Sequence, residues 1–395
     1  MKIKLHHCLT RSQFNIGFEC NLFNLKLSCG MKIFEVIDFL ENLAHPTFQE
    51  DYDNSGLITG DKNARCSGVL ISLDCIEKVV DDAISKKCNL IIAHHPIIFK
   101  GLRSITGKNY VERTILKAIK NDIAIYAIHT NLDNVIKGVN GIIAEKLGLI
   151  NLKILRPKEA QLKKLITFAP LEVADKLKEI LFENGGGFIG KYSECSFNVE
   201  GTTTFKPLEG ADPHSGEIGK RYEGREMKIE IIFPSHLENR IIQSMIDTHP
   251  YEEVAYDILN LGNFLSDLGS GIIGEFKTPL PEKALLGLLK EKFNLKVIKH
   301  TQLLGNQISK VAICGGAGSF LIPDAIKNKA EMYITSDVKY HEFFDADNKM
   351  VIADIGHYES EQFTIDLLYD FLMGKNLNFA VLKSGVNTNP VDYFI

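Results

Sequence analysis

Hydrophobic positions along the chain fall into two textures. From Met31 onward, Ile33, Val36, Ile37, Leu40 and Leu43 recur at helical spacing. A polar, turn-rich loop follows at Gln49–Gly56. Gly68–Asp74 then reads as a buried strand. Residues 76–87 read as a helix with Ile76, Val79, Val80, Ala83 and Ile84 on one face. Leu90–Ala93 and Ile123–Ile128 are further apolar strands, with helices expected over 110–120 and 139–148. Continuous apolar strands alternating with amphipathic helices predict an α/β layer around a largely parallel sheet.

The texture changes near residue 160. Leu162–Phe168 reads as a strand, Leu171–Glu183 as a helix, Ser196–Thr204 and Met227–Phe233 as alternating strands, His236–Thr248 as a helix and Ala255–Leu259 as a strand. That order, β-α-β-β-α-β, is the ferredoxin-like split βαβ arrangement. From Gly262 the first texture returns, with strands at 271–276, 311–314, 332–335 and 350–354, a helix over 283–293 and one long helix over 358–373. The glycine-rich Gly315–Ser319 reads as a tight connection after a strand, with a weaker resemblance to a phosphate-binding turn.

Length then bounds the organisation. A chain of 395 residues gives a prior of two to three domains. Residues 1–30 share neither texture and are expected to be a leader, either an upstream-start extension or disordered, with the folded chain opening at Met31. With 45 basic and 50 acidic residues the net charge is −5, so nothing global points to nucleic acid. No apolar run reaches the roughly 18 residues of a membrane span. The eight cysteines are scattered without a Cys-x-x-Cys pair, which excludes a zinc finger and suits reduced thiols in a cytoplasmic protein.

The candidate chemistry lies at strand ends. His94-His95-Pro96 follows one strand, His129…Asp133 another, and His357…Glu361 opens a helix after Gly356. Adjacent imidazoles serve two neighbouring ions better than one, and an i, i+4 pair shares one helix face. Crevices at strand carboxyl ends are where open α/β sheets bind ligands. His94, His95, Asp133, His357 and Glu361 are therefore expected to ligate two divalent ions, with a carboxylate bridging. Donors of this kind suit zinc, iron, manganese, cobalt or nickel without selecting one. Five protein ligands for two ions leave open positions, the mark of a catalytic centre. His129 is a ligand, an orienting residue or a proton shuttle. Asp337 and His341 are candidate acid/base groups near the metals, or simply a capped helix start. Asp74 is expected to cap the helix at 76–87.

Together Gln49–Gly56, Ala93-His94-His95-Pro96, His129-Thr130-Asn131-Leu132-Asp133 and Gly356-His357-Tyr358-Glu359-Ser360-Glu361 resemble the GTP cyclohydrolase 1 type 2 homologues, the NGG-interacting-factor-three-like family, from about Met31 to the C-terminus. The resemblance implies a two-metal site on His94, His95, Asp133, His357 and Glu361, with Glu361 shared. It implies that the segment ending in His249-Pro250-Tyr251-Glu252-Glu253 is a PII-like (CutA-like) insert, and that chains assemble as homohexamers. Ligands before residue 134 and after residue 356 require both flanks to fold together. Residues 31–160 and 262–395 are thus expected to form one discontinuous metal-binding α/β domain, interrupted by an insert over 161–261.

The activity so implied is hydrolysis of GTP or a related nucleotide by metal-activated water, with formate release and dihydroneopterin triphosphate as product. His129 or His341 would move protons. Two alternatives are a non-catalytic metal-handling or regulatory scaffold, and a metal-dependent hydrolase of another nucleotide or phosphoester. Expected partners are a second copy of the chain and a small-molecule or nucleotide ligand.

Overall fold

The computed structural model describes residues 30–394, so the leader and its three cysteines lie outside the described residues. The chain divides into two compact units. One is formed by the residues up to Ile150 together with Gly274–Ile395, the other by Asn151–Ile273.

The first unit begins α1 (Ile33–Leu43), β1 (Gly56–Thr59), β2 (Gly68–Ser72), α2 (Glu77–Ser85), β3 (Leu90–Ala93), α3 (Tyr110–Lys120), β4 (Ala124–Ala127), α4 (Thr130–Asp133) and α5 (Val139–Leu147). Every residue of β2, β3 and β4 is buried, because a parallel sheet is covered on both faces. Val79, Val80 and Ala83 of α2, with Ile115 and Ala118 of α3, pack on Leu70, Ile91 and Ile125. Fully burying one such isoleucine contributes about 1.5–3 kcal/mol. α3 starts where it does because the Asn109 side chain accepts from the Glu112 amide at 2.9 Å.

The second unit contains β5 (Ile150–Pro157), β6 (Leu162–Pro170), α6 (Leu171–Glu183), β7 (Phe197–Phe205), β8 (Tyr222–Pro234), α7 (Glu238–Thr248) and β9 (Tyr256–Asn260), and β10 (Gly269–Pro281) leads out of it. Its sheet orders β7-β8-β6-β9 and every pairing is antiparallel, the split βαβ order. Ala174, Leu177 and Leu181 of α6, with Ile241 and Met245 of α7, cover one face against Leu165, Ile229, Ile231 and Phe233.

The first unit resumes with α8 (Glu282–Lys292), β11 (Lys299–His300), β12 (Gln307–Ala317), α9 (Ile322–Lys327), β13 (Met332–Ser336), β14 (Val351–Asp354), α10 (His357–Glu361), α11 (Thr364–Met373) and β15 (Ala380–Lys383). One sheet orders β1-β4-β3-β2-β15, with β15 parallel to β2, so both ends of the described chain build it. The other contains β11-β14-β13-β12, with β12, β13 and β14 parallel. The fold is therefore mixed α/β. Among the described residues no helix is long and apolar enough to cross a membrane.

Three expectations change. The long helix over 358–373 is two helices, because Gln362 Nε2 donates to the Glu359 carbonyl at 3.1 Å and to the Phe293 carbonyl at 3.2 Å, intruding on the ladder. Gly315–Ala317 is the end of β12 rather than a turn. Asp74 caps nothing: Ile76 is the N-cap of α2, without a side-chain cap. The described cysteines Cys66, Cys75, Cys88, Cys195 and Cys314 are free thiols.

Candidate metal centre

His94 and His95 leave the carboxyl end of β3, His129 that of β4, and His357 opens α10 just after β14. The fold gathers them around one carboxylate, Glu361, which is 3 % exposed. Candidate ligand atoms converge in three groupings: His94, Asp133 and Glu361; His95, His357 and Glu361; and His94, His95 and His129, each within 4.8 Å.

His94 is fully buried. Its Nδ1 donates to the Ile128 carbonyl at 2.8 Å, which leaves Nε2 as a bare acceptor. That Nε2 lies 3.6 Å from Asp133 Oδ1 and 3.9 Å from Glu361 Oε1. Both His94 Nε2 and Asp133 Oδ1 are enclosed and have no hydrogen-bond partner. Two acceptors facing each other in a closed space are costly as they stand, and a cation between them satisfies both. The residues present fit a metal ion.

On the other side of Glu361 the rings are saturated. His95 pairs through Nδ1 with Asp74 Oδ1 at 2.8 Å and through Nε2 with Glu361 Oε2 at 2.9 Å. His357 pairs through Nδ1 with Asp337 Oδ2 at 2.6 Å, and its Nε2 lies 3.1 Å from Glu361 Oε2. Carboxylates behind metal-binding imidazoles fix the ring and its tautomer. Burial opposes charge on His95, yet Asp74 and Glu361 outweigh it and push the imidazole up to about 10. His357 rises to about 9 against burial, through Glu361 and Asp337. Burial alone would raise Glu361, but the neighbouring imidazoles of His357, His94 and His95 hold it well below the usual carboxylate range. Asp133 goes up to about 6, chiefly by burial.

The glycines at the end of β12 make room for this carboxylate. At Gly316, φ is +65° and a Cβ would run into Glu361 Oε1, so only glycine fits. The Gly315 amide donates to Asn140 Oδ1 at 2.8 Å and the Gly316 amide to Ser360 Oγ at 3.0 Å. These two amides are engaged within the protein and are not free to meet a phosphate.

His129 stands beside the cluster, its ring 5.3 Å from those of His94 and His95. Its Nδ1 bonds Asp53 Oδ1 at 2.7 Å. Burial would raise Asp53, but His129 and Thr130 hold it well below the usual carboxylate range. Farther out, the exposed rings of Tyr52 and Phe99 stack at 6.5 Å, and Phe99 meets His129 edge-on at 5.7 Å.

The structure thus brings together His94, His95, Asp133, His357 and Glu361, sets His129 next to them and places Asp337 behind His357. It does not bring in His341, which is exposed, lies against Tyr340 and Phe344 and belongs to none of the groupings. The orienting roles of Asp53 and Asp74 escaped the sequence reading. Asp53 is 76 residues from His129 and Asp74 is 21 from His95, and the one signal for Asp53 was its place in a dense polar loop.

Comparison with known proteins identifies similar chains. A family model described as Duf34/NIF3 (NGG1p interacting factor 3) matches residues 31–390. A Bacillus subtilis (strain 168) protein named GTP cyclohydrolase 1 type 2 homolog is 35% identical over 364 residues, covering 91% of this chain and 98% of that protein. A Halalkalibacterium halodurans protein of the same name is 38% identical over 363 residues, with the same coverage of each. The crystal structure of a Bacillus cereus protein related to NIF3 matches with a TM-score of 0.81 and 36% identity, over 92% of this chain and 99% of that one.

Proposed function

The chain belongs to the Duf34/NIF3 family, and from that premise we propose that it holds two divalent metal ions and hydrolyses GTP or a closely related nucleotide. One observation carries the reading: the enclosed, partnerless His94 Nε2 and Asp133 Oδ1 face each other beside a carboxylate whose two oxygens serve two sides. His94, Asp133 and Glu361 Oε1 would hold one ion; His95, His357 and Glu361 Oε2 would hold the other. Three donors on each side leave coordination positions open to substrate and water. Divalent ions bound here supply Lewis-acid polarisation and activation of water at neutral pH.

The chain's own residues do the positioning. Asp74 and Asp337 hold Nδ1 of His95 and His357, so each Nε2 faces the shared carboxylate. Asp53 holds Nδ1 of His129 in the same way, leaving Nε2 to take a proton from the reacting nucleotide and return it. The exposed Tyr52–Phe99 stack offers a flat apolar surface for a base. The relatives' name points to GTP. The same reading includes a PII-like insert and a homohexamer, which sedimentation of the purified protein tests as a six-chain particle.

Mass spectrometry of the purified protein is expected to find two ions per chain, and incubation with GTP to release formate. His95→Ala is expected to abolish release while circular dichroism stays unchanged. GTP left intact by a protein carrying two ions removes the hydrolase and favours a metal-handling or regulatory scaffold. Less than one ion per chain removes the metal centre itself.

A further inference from the structure

The second unit contains a cavity of about 610 Å³ on the sheet face opposite α6 and α7, lined among others by Phe168, Gly201, Phe205, Glu226 and Tyr251. Its size and mostly apolar wall suit a small ligand. The ring of Phe205 lies 6.3 Å from that of Tyr251, edge to face, so the wall is aromatic on adjoining sides.

Of its polar lining residues Glu226 is the one that is buried, only 5 % exposed. The Tyr251 hydroxyl donates to Glu226 Oε1 at 2.6 Å. Among the described residues no lysine or arginine pairs with this carboxylate. Lys228, which lines the same cavity, spends its ammonium on Glu230 at 2.7 Å. The neighbouring His249 cannot help, since its Nε2 donates to the Phe168 carbonyl at 2.9 Å and its Nδ1 accepts from the Tyr251 amide at 3.1 Å. A buried carboxylate with one neutral donor and no cation is costly unless something else meets it.

We infer that this cavity is a binding site for a small aromatic molecule bearing a cationic, N–H-rich head, the ring lying among Phe168, Phe205 and Tyr251 and the head donating to Glu226. The inference stands apart from the metal centre and does not depend on the chemistry proposed there. Gly201 supplies a clean probe. It pairs with Glu226 across the strands, so a side chain there shares the Glu226 face, and a Cβ at Gly201 meets nothing within 4 Å. A larger residue therefore fills the cavity without disturbing the fold.

Benzamidine, an aromatic ring with an amidinium head, is the probe, and calorimetric titration of the full-length protein the measurement. Saturable binding at one per chain is expected, with benzoate, of like shape and opposite charge, failing to bind. Glu226→Gln should weaken benzamidine by at least about tenfold, as loss of a charge-assisted hydrogen bond does. Gly201→Leu should abolish binding and leave metal content unchanged. Absence of binding to the unaltered chain, equal binding of benzoate, or full binding to Gly201→Leu would each overturn the assignment. If Glu226→Gln fails to fold, Gly201→Leu still decides it.

Discussion

The two sides of Glu361 are built differently. Toward Oε1, His94 and Asp133 present enclosed acceptor atoms with no partner, and His94 is fully buried. Toward Oε2, His95 and His357 are bonded at both ring nitrogens, and the His357 side chain is 39 % exposed. In the first case two unpartnered acceptors face each other, and a cation between them would satisfy both. In the second, protons on two imidazoles already supply the positive charge that Glu361 needs. An ion entering the Oε2 side must displace those protons, whereas one entering the Oε1 side meets bare lone pairs. On the proposed two-ion reading, the two sides are thus expected to bind their ions with different strength and different pH dependence, the enclosed side filling first.

Removing the shared group tests whether these are two sides of one site. Glu361→Ala takes a ligand from each ion and leaves two clustered imidazoles without their carboxylate, so metal content after dialysis is expected to fall from two per chain to none. Retention of one ion would show that the carboxylate serves a single side.

pH separates the sides next. His95 at about 10 and His357 at about 9 lie above the ordinary value of about 6.5. In the metal-free protein they add stability that is fully present below about pH 6.5 and is lost as pH rises through about 9 and 10. Metal binding on that side expels both protons, so affinity should fall about 100-fold for each pH unit below about 9. Asp133, raised chiefly by burial, can give up at most one proton, so the enclosed side should show the shallower pH dependence. Competition with a calibrated chelator at pH 7, 8 and 9 reads both affinities, and a parallel fall of the two would erase the contrast.

A smaller change should act on one side only. Asp74 bonds His95 through Oδ1 and accepts from the Thr388 hydroxyl at 2.6 Å through Oδ2, so Asp74→Asn loosens the ring without touching His94. Outer partners of this kind are worth about 10–100-fold in metal affinity, and the same titration should show that loss for the weaker ion alone.

Asp74 also marks where the sequence stopped being legible. The ligand clusters stood out because continuous apolar strands ended abruptly in imidazoles, a local signal. The βαββαβ order of the second unit was equally local, carried by periodicity within each element. Asp74 looked like a cap because its neighbours in sequence open a helix, and its true partners, His95 and Thr388, are set by parallel pairing of β2 with β3 and by a distant tail. The glycines of β12 misled for the same reason. Their close neighbour Glu361 lies more than 40 residues on, so a run selected for approach to a carboxylate read as a turn.

The last contrast lies within Ser336–His341, which sequence spacing offered as a pair of acid/base groups. Asp337, in the left-handed region at φ 54°, is turned onto His357; four residues later His341 belongs to a 3₁₀ helix, Tyr340–Ala346, and points among exposed rings. A 3₁₀ turn places residues three apart on one face, and the break between Asp337 and Tyr340 separates the two side chains. His341→Ala is therefore expected to change metal content and formate release by less than about twofold, as an exposed substitution away from the site does. Asp337→Asn, which keeps the shape at a position where asparagine tolerates φ > 0, should weaken the Oε2-side ion more than His341→Ala does, yet less than Asp74→Asn, because Asp337 is exposed and water can replace its bond. If His341→Ala instead abolished formate release with both ions retained, the proton carrier would be His341 rather than His129, and the 3₁₀ segment would have to swing toward the cluster during turnover.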